Sequence, residues 1–80
     1  MAIVSELKNV LGRTLHVHPT KVACSYSVCD LGEGRKLLQL DTRGSSKREI
    51  PGKISQTLQF DEVNAYALWK LIGSEFGFSR

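Results

Sequence analysis

The hydrophobic pattern of this chain changes period at Asp61, and that switch constrains what it can fold into. Within the three segments 21–30, 35–43 and 54–60 that precede it, apolar residues recur at every second position, the repeat of a strand with one covered face. Val22, Cys24, Tyr26 and Val28 alternate with Ala23, Ser25 and Ser27, which predicts a strand over residues 21–30. Leu38 and Leu40 share the inner face of a second strand, 35–43, with Leu37 on the other side. In a third, 54–60, Ile54, Gln56, Leu58 and Phe60 alternate with Ser55, Thr57 and Gln59. After Asp61 the spacing becomes helical: Val63, Ala67, Leu68, Leu71 and Ile72 form one stripe. Asp61 suits the N-cap, because its carboxylate can accept from the unpaired N–H groups of the first turn. Glu62 suits the positive end of the helix dipole, and Gly77 marks the stop.

The connections follow from their turn residues. Asp30-Leu31-Gly32-Glu33-Gly34 reads as a hairpin, with glycines free to take positive φ. Ile50-Pro51-Gly52-Lys53 fits a type II turn. Leu15, His16 and Val17 offer a further short strand, ended by Pro19. Ile3, Val4, Leu7, Val10 and Leu11 recur at helical spacing before Gly12, predicting a short amphipathic helix over 3–11. The expected fold is α+β: a short N-terminal helix within 1–12, an antiparallel sheet of three to four strands over 14–60, and a long amphipathic C-terminal helix within 61–77 packed on one sheet face. The other face, with Ser25, Ser27, Gln39, Ser55, Thr57 and Gln59, is either wet or used for binding.

Eighty residues predict one domain. A domain of this size buries only roughly 60% of its unfolded surface, so oligomerisation is a natural source of extra stability. A deep, water-excluding cleft is hard to build at this length, which weighs against catalysis. No nucleophile elbow, phosphate loop or metalloprotease motif occurs, and Asp41 and Asp61 read as a strand residue and a helix cap. Cys24 and Cys29 are five apart in one strand and point to opposite faces, so they neither pair nor grip one metal. They read as buried or half-buried free thiols, consistent with a reducing compartment. His16 and His18 supply two ligands at most, where a structural zinc site needs four. No cofactor or metal is expected. The longest apolar runs are far shorter than a bilayer span and no secretory leader is visible, so a cytoplasmic location is the default expectation.

Charge is where the sequence points to a partner. The net charge is only +3. Six basic residues, Arg35, Lys36, Arg43, Lys47, Arg48 and Lys53, fall within 35–53 against Asp41 and Glu49. The remaining five basic and six acidic groups leave the rest of the chain slightly negative. Such clustering suits a phosphate backbone, because each neutralised phosphate releases condensed counterions. It also suits a solvated loop over 43–53 or an acidic protein partner. Ser55 and Thr57 would add hydrogen bonds to phosphate or sugar from the sheet. Tyr66 and Trp69, three apart beside the helix stripe, suit a dimer or partner contact as well as an ordinary core.

From Tyr26 to Ile72 the chain resembles the positive cofactor four family of single-stranded-DNA-binding transcriptional coactivators, and the related Whirly proteins. Two strands joined by a short turn precede a polar loop. Pro51-Gly52-Lys53 then leads into the strand ending at Phe60 and a helix carrying Trp69. The resemblance implies a homodimer with a core of C-terminal helices, and single-stranded DNA held along a basic surface by Arg43, Lys47, Arg48 and Lys53. The loop here lacks an aromatic residue, the third strand is longer, and an N-terminal helix is added. The reading is therefore a small homodimeric nucleic-acid-binding protein, regulatory in role and not an enzyme, with single-stranded DNA favoured. The alternative is an accessory or inhibitor subunit that grips an acidic protein.

Overall fold

The computed structural model describes residues 1–43 and 54–78, and for Ser55 the backbone alone. It contains β1 (Ala2–Val4), β2 (Cys24–Gly32), β3 (Arg35–Arg43), β4 (Ile54–Phe60) and α1 (Glu62–Phe76). The strands form one sheet in the order β1-β4-β3-β2. β2 pairs antiparallel with β3, and β3 with β4, while β1 runs parallel to β4. The fold is α+β, with a mixed sheet rather than the purely antiparallel one expected.

The N-terminal helix is the element that sequence reading misplaces. Ala2, Ile3 and Val4 instead pair with Leu58, Gln59 and Phe60. A nine-residue helix is marginal in water, whereas the open edge of β4 offers unpaired backbone groups to a β-branched segment. Residues 5–23 form neither helix nor strand, so Leu15–Val17 is not a strand. With β1 on β4 and β2 on the opposite edge, a strand at 15–17 would have to compete for an edge.

The β2–β3 connection is a two-residue loop, Glu33-Gly34, with both residues at positive φ (54° and 75°), the hallmark of a type I′ turn. Gly32 also lies at φ 85°, where the pairing slips between Asp30 and Gly32. The Gly32 N–H donates to Asp30 Oδ1 at 2.8 Å and fixes this bend.

α1 begins as expected. Asp61 is extended (φ −76°, ψ 177°), and its Oδ1 accepts from the Asn64 N–H at 2.9 Å and from Asn64 Nδ2 at 3.0 Å. Gly77 closes the helix at φ 71°, and the N–H groups of Gly77 and Phe78 both reach the Gly73 carbonyl. The first turns of α1 approach β3 and β4, where Ala65, Tyr66 and Trp69 share a groove with Val28, Leu38 and Phe60. The middle of the helix, Ala67 and Leu71, faces Leu7, Lys8 and Asn9.

Strand register gives the sheet two chemically distinct faces. Tyr26 opposes Leu40, Val28 opposes Leu38, and these oppose Leu58 and Phe60, making one apolar face. Ser25 opposes Asp41, Ser27 opposes Gln39, and these oppose Thr57 and Gln59, making one polar face. The apolar face is poorly covered. Phe60 is the only buried apolar residue among those described, while Tyr26 is 73% and Val28 59% exposed. Val63, expected in the core stripe of the helix, is 76% exposed.

Candidate nucleic-acid interface on the polar sheet face

The polar face is a connected hydrogen-bond network rather than a set of independent side chains. Its hub is Asp41, which is buried. Thr57 Oγ1 donates to Asp41 Oδ1 at 2.6 Å, and Gln39 Nε2 donates to both carboxylate oxygens at 3.2 Å. Gln59 Nε2 in turn donates to Gln39 Oε1 at 2.9 Å. The donors therefore point inward to the carboxylate, which fixes the amide orientation of both glutamines. Asp41 owes this position to strand parity: its neighbours at two-residue spacing are Gln39 and Arg43, and Thr57 stands directly across on β4.

These bonds hold the Asp41 carboxyl below its ordinary value of 3.8. The largest contribution is the Thr57 hydroxyl, followed by the Gln39 amide; burial opposes them and the nearby Arg43 guanidinium assists. The carboxylate is thus ionised at neutral pH and engaged by protein donors.

Arg43 closes β3 on this side of the sheet. Its Nη2 donates to Ser25 Oγ at 3.1 Å, and its backbone N–H donates to the Ala23 carbonyl at 2.8 Å. Ser25 Oγ also donates to the Asp41 carbonyl at 3.5 Å. The pairing shifts between Thr42 and Arg43, so the strand is irregular where the basic segment leaves it.

The described basic residues of this stretch, Arg35, Lys36 and Arg43, do not gather at one place. Arg35 and Lys36 lie at the other end of β3, roughly 23–27 Å from Arg43 along an extended strand. There they border a hollow also lined by Asp61 and Glu62 of the α1 N-terminus, so their charge is partly offset. Lys47, Arg48 and Lys53, the Pro51-Gly52 turn and the side chain of Ser55 lie outside the described residues. Thr57 is buried and donates its hydroxyl to Asp41. Asp41 was legible as a strand residue but not as the hub; the signal was its parity with Gln39 and Arg43 opposite a threonine.

Base stacking finds no ring on this face, since Tyr26 belongs to the apolar side. Tyr66 and Trp69 are close to one another, ring centroids 5.6 Å apart, and each is more than half exposed. Lys70 Nζ lies 5.7 Å from the Tyr66 ring centroid. The thiols of Cys24 and Cys29 are both exposed, not buried or half-buried as expected. Register places them on opposite faces: Cys24 opposes Thr42 and Cys29 opposes Leu37.

His16 and His18 lie in irregular chain, and His18 Nδ1 accepts from the Thr20 N–H at 3.1 Å. Among the described residues no group of three potential metal ligands comes together, and no helix is long and apolar enough to cross a membrane. Comparison with protein-family models, with curated proteins and with solved structures finds no match for the chain.

Proposed function

We propose that this chain is a small nucleic-acid-binding protein of regulatory role, acting as a homodimer, with single-stranded DNA its favoured ligand. The observation that carries the reading is the position of Arg43. Its guanidinium is held against the polar face by Ser25, at the point where the basic segment of residues 43–53 leaves β3. A strand laid along this face would meet the Arg43 cation beside a hydroxyl and amide surface, and Lys47 and Arg48 follow after Gly44, Ser45 and Ser46 in the sequence. Asp41, the one acid among the described residues of the face, is buried and satisfied by Thr57 and Gln39, so it opposes a phosphate only weakly. The absence of rings on the polar face favours contacts to phosphate and sugar over base stacking. Arg35 and Lys36, offset by Asp61 and Glu62, have a secondary part.

Titration of labelled single-stranded DNA, duplex DNA and RNA at two salt concentrations tests this. Affinity should fall as salt rises, with the single strand bound best. Arg43→Ala, Lys47→Ala and Arg48→Ala should each reduce the salt slope by about 0.7 for a single strand, one phosphate contact apiece. Arg35→Ala should change it less. Absence of binding to all three nucleic acids at low salt rejects the reading and leaves an acidic protein as the partner class.

A further inference from the structure

The end of α1 folds back beside its own last turns and leaves a hollow between aromatic rings. Gly77 turns the chain at φ 71°, and the Phe78 N–H donates to the Gly73 carbonyl at 3.0 Å. That turn brings Phe78 beside the helix face that carries Tyr66, Trp69, Lys70 and Gly73, which recur at three- and four-residue spacing. These five residues line most of a hollow of about 480 Å³, within the roughly 300–1,000 Å³ of small-molecule sites. Tyr66 and Trp69 stay 57% and 53% exposed, so their faces are open to a ligand. Glycine is the poorest helix former after proline, yet a Cβ on Gly73 would meet nothing nearer than the Phe78 carbonyl oxygen at 4.0 Å. Neither helix propensity nor crowding explains this glycine, and its effect is to keep the hollow open.

The charge of the hollow is as simple as its shape. Lys70 is the one charged residue of the lining among those described, and its Nζ lies 5.7 Å from the Tyr66 ring centroid. Glu75 borders a separate hollow with Ala67 and Leu71, while Asp61 and Glu62 line the groove at the other end of the helix. Lys70 precedes the last turn of α1, so the negative end of the helix dipole, which fades within that turn, weighs little against an anion there. An apolar ligand would gain nothing from Lys70, and a phosphate alone would gain nothing from the rings. We infer that the hollow binds a nucleotide unit, its base stacked against the rings of Trp69 and Phe78 and its phosphate on Lys70. The unit is a free nucleotide or one nucleotide of a single strand, and both present the same chemistry. The site is apart from Arg43 and the polar face, because α1 packs beside Val28, Leu38 and Phe60 on the apolar side of the sheet. It stands without the nucleic-acid reading of that face, since a free nucleotide meets the same groups.

Trp69 is the single tryptophan of the chain, so its fluorescence reports on this site alone. The full chain is titrated with a nucleoside monophosphate, with a single-stranded oligonucleotide, and with an abasic strand of the same length and charge. The expected result is saturable quenching by the monophosphate, the oligonucleotide or both, and none by the abasic strand. Quenching by the monophosphate identifies a free nucleotide as sufficient, and quenching by the oligonucleotide alone assigns the site to a strand. Phe78→Ala should weaken binding at least about fivefold, the loss of one stacking ring. Lys70→Ala, an exposed change that suits a helix, should weaken it about two- to fivefold. Equal quenching by the abasic and the normal strand overturns the inference, because phosphate contact then suffices. Unquenched Trp69 with every ligand also overturns it, and so does a Trp69 signal that changes with protein concentration alone, which would place a second copy on the rings. Labelled strands that bind while Trp69 stays unquenched leave the polar face as the binding surface. Quenching by the monophosphate without strand binding does the reverse.

Discussion

At Asp41, a buried carboxylate remains charged because its own strand and the neighbouring β4 aim donors at it. The Thr57 hydroxyl and the Gln39 amide favour the ionised form in the folded chain and are lost when it unfolds. The folded group has the lowered pKa, so its contribution to stability is complete above the ordinary value of 3.8. It is lost as pH falls through that value toward the folded one. Asp61 behaves the same way, held down chiefly by the Asn64 N–H. Urea unfolding should therefore show little change between about pH 7 and pH 5, and declining stability below about pH 4. Asp41→Asn should lower stability at neutral pH, because an amide with one acceptor replaces a carboxylate with two. It should also shrink the acid loss, leaving the part that belongs to Asp61. An Asp41→Asn variant with the full wild-type acid loss would remove Asp41 as the source. The sequence announced Asp61, because a cap is a local signal read within four residues. It did not announce Asp41, whose role depends on Thr57, sixteen residues away across a ladder.

Among the elements, those defined by local chemistry follow the sequence closely. β3, β4 and α1 occupy the residues their periodicity predicts, since period, cap and stop all act within the element. β1 departs because its fate is decided elsewhere. Ile3 and Val4 fit a short amphipathic helix and a strand equally well, and the free edge of β4 decides between them. The β2–β3 turn carries a correctable strain. Glu33 is the one described non-glycine residue at positive φ, in a turn that favours Asn or Gly there. Glu33→Asn should stabilise the chain by up to about 1 kcal/mol. Gly77→Ala imposes the reverse change at the end of α1, where φ is 71°. It should cost about 1 kcal/mol, although a Cβ there meets nothing within 4 Å. Chemical denaturation of both variants checks the signs, and equal effects in one direction would contradict the backbone argument.

The whole molecule differs from its parts in having little core of its own. Alternation identified an apolar face, and the helix stripe suggested what would cover it, but coverage is a property of three-dimensional contact. In the structure α1 leaves the end of β4 and packs chiefly on β3 and β4, and Tyr26, Val28 and Leu58 remain exposed. Burial of apolar surface is the main force opposing chain entropy, and Phe60 alone, among the described residues, provides it fully. The proposed homodimer would supply the missing stability and make folding and dimerisation one equilibrium. Its melting temperature should then rise with protein concentration, since mass action stabilises whatever the folded state binds. Thermal unfolding followed by circular dichroism over a hundredfold range, from about 1 to about 100 µM, should show a steady upward shift. Leu58→Asp should lower the midpoint at every concentration, or abolish the transition. The same midpoint at both ends of the range would mean that the isolated chain is stable by itself. The apolar face would then be an open surface of a stable monomer, and the proposed homodimer would fall.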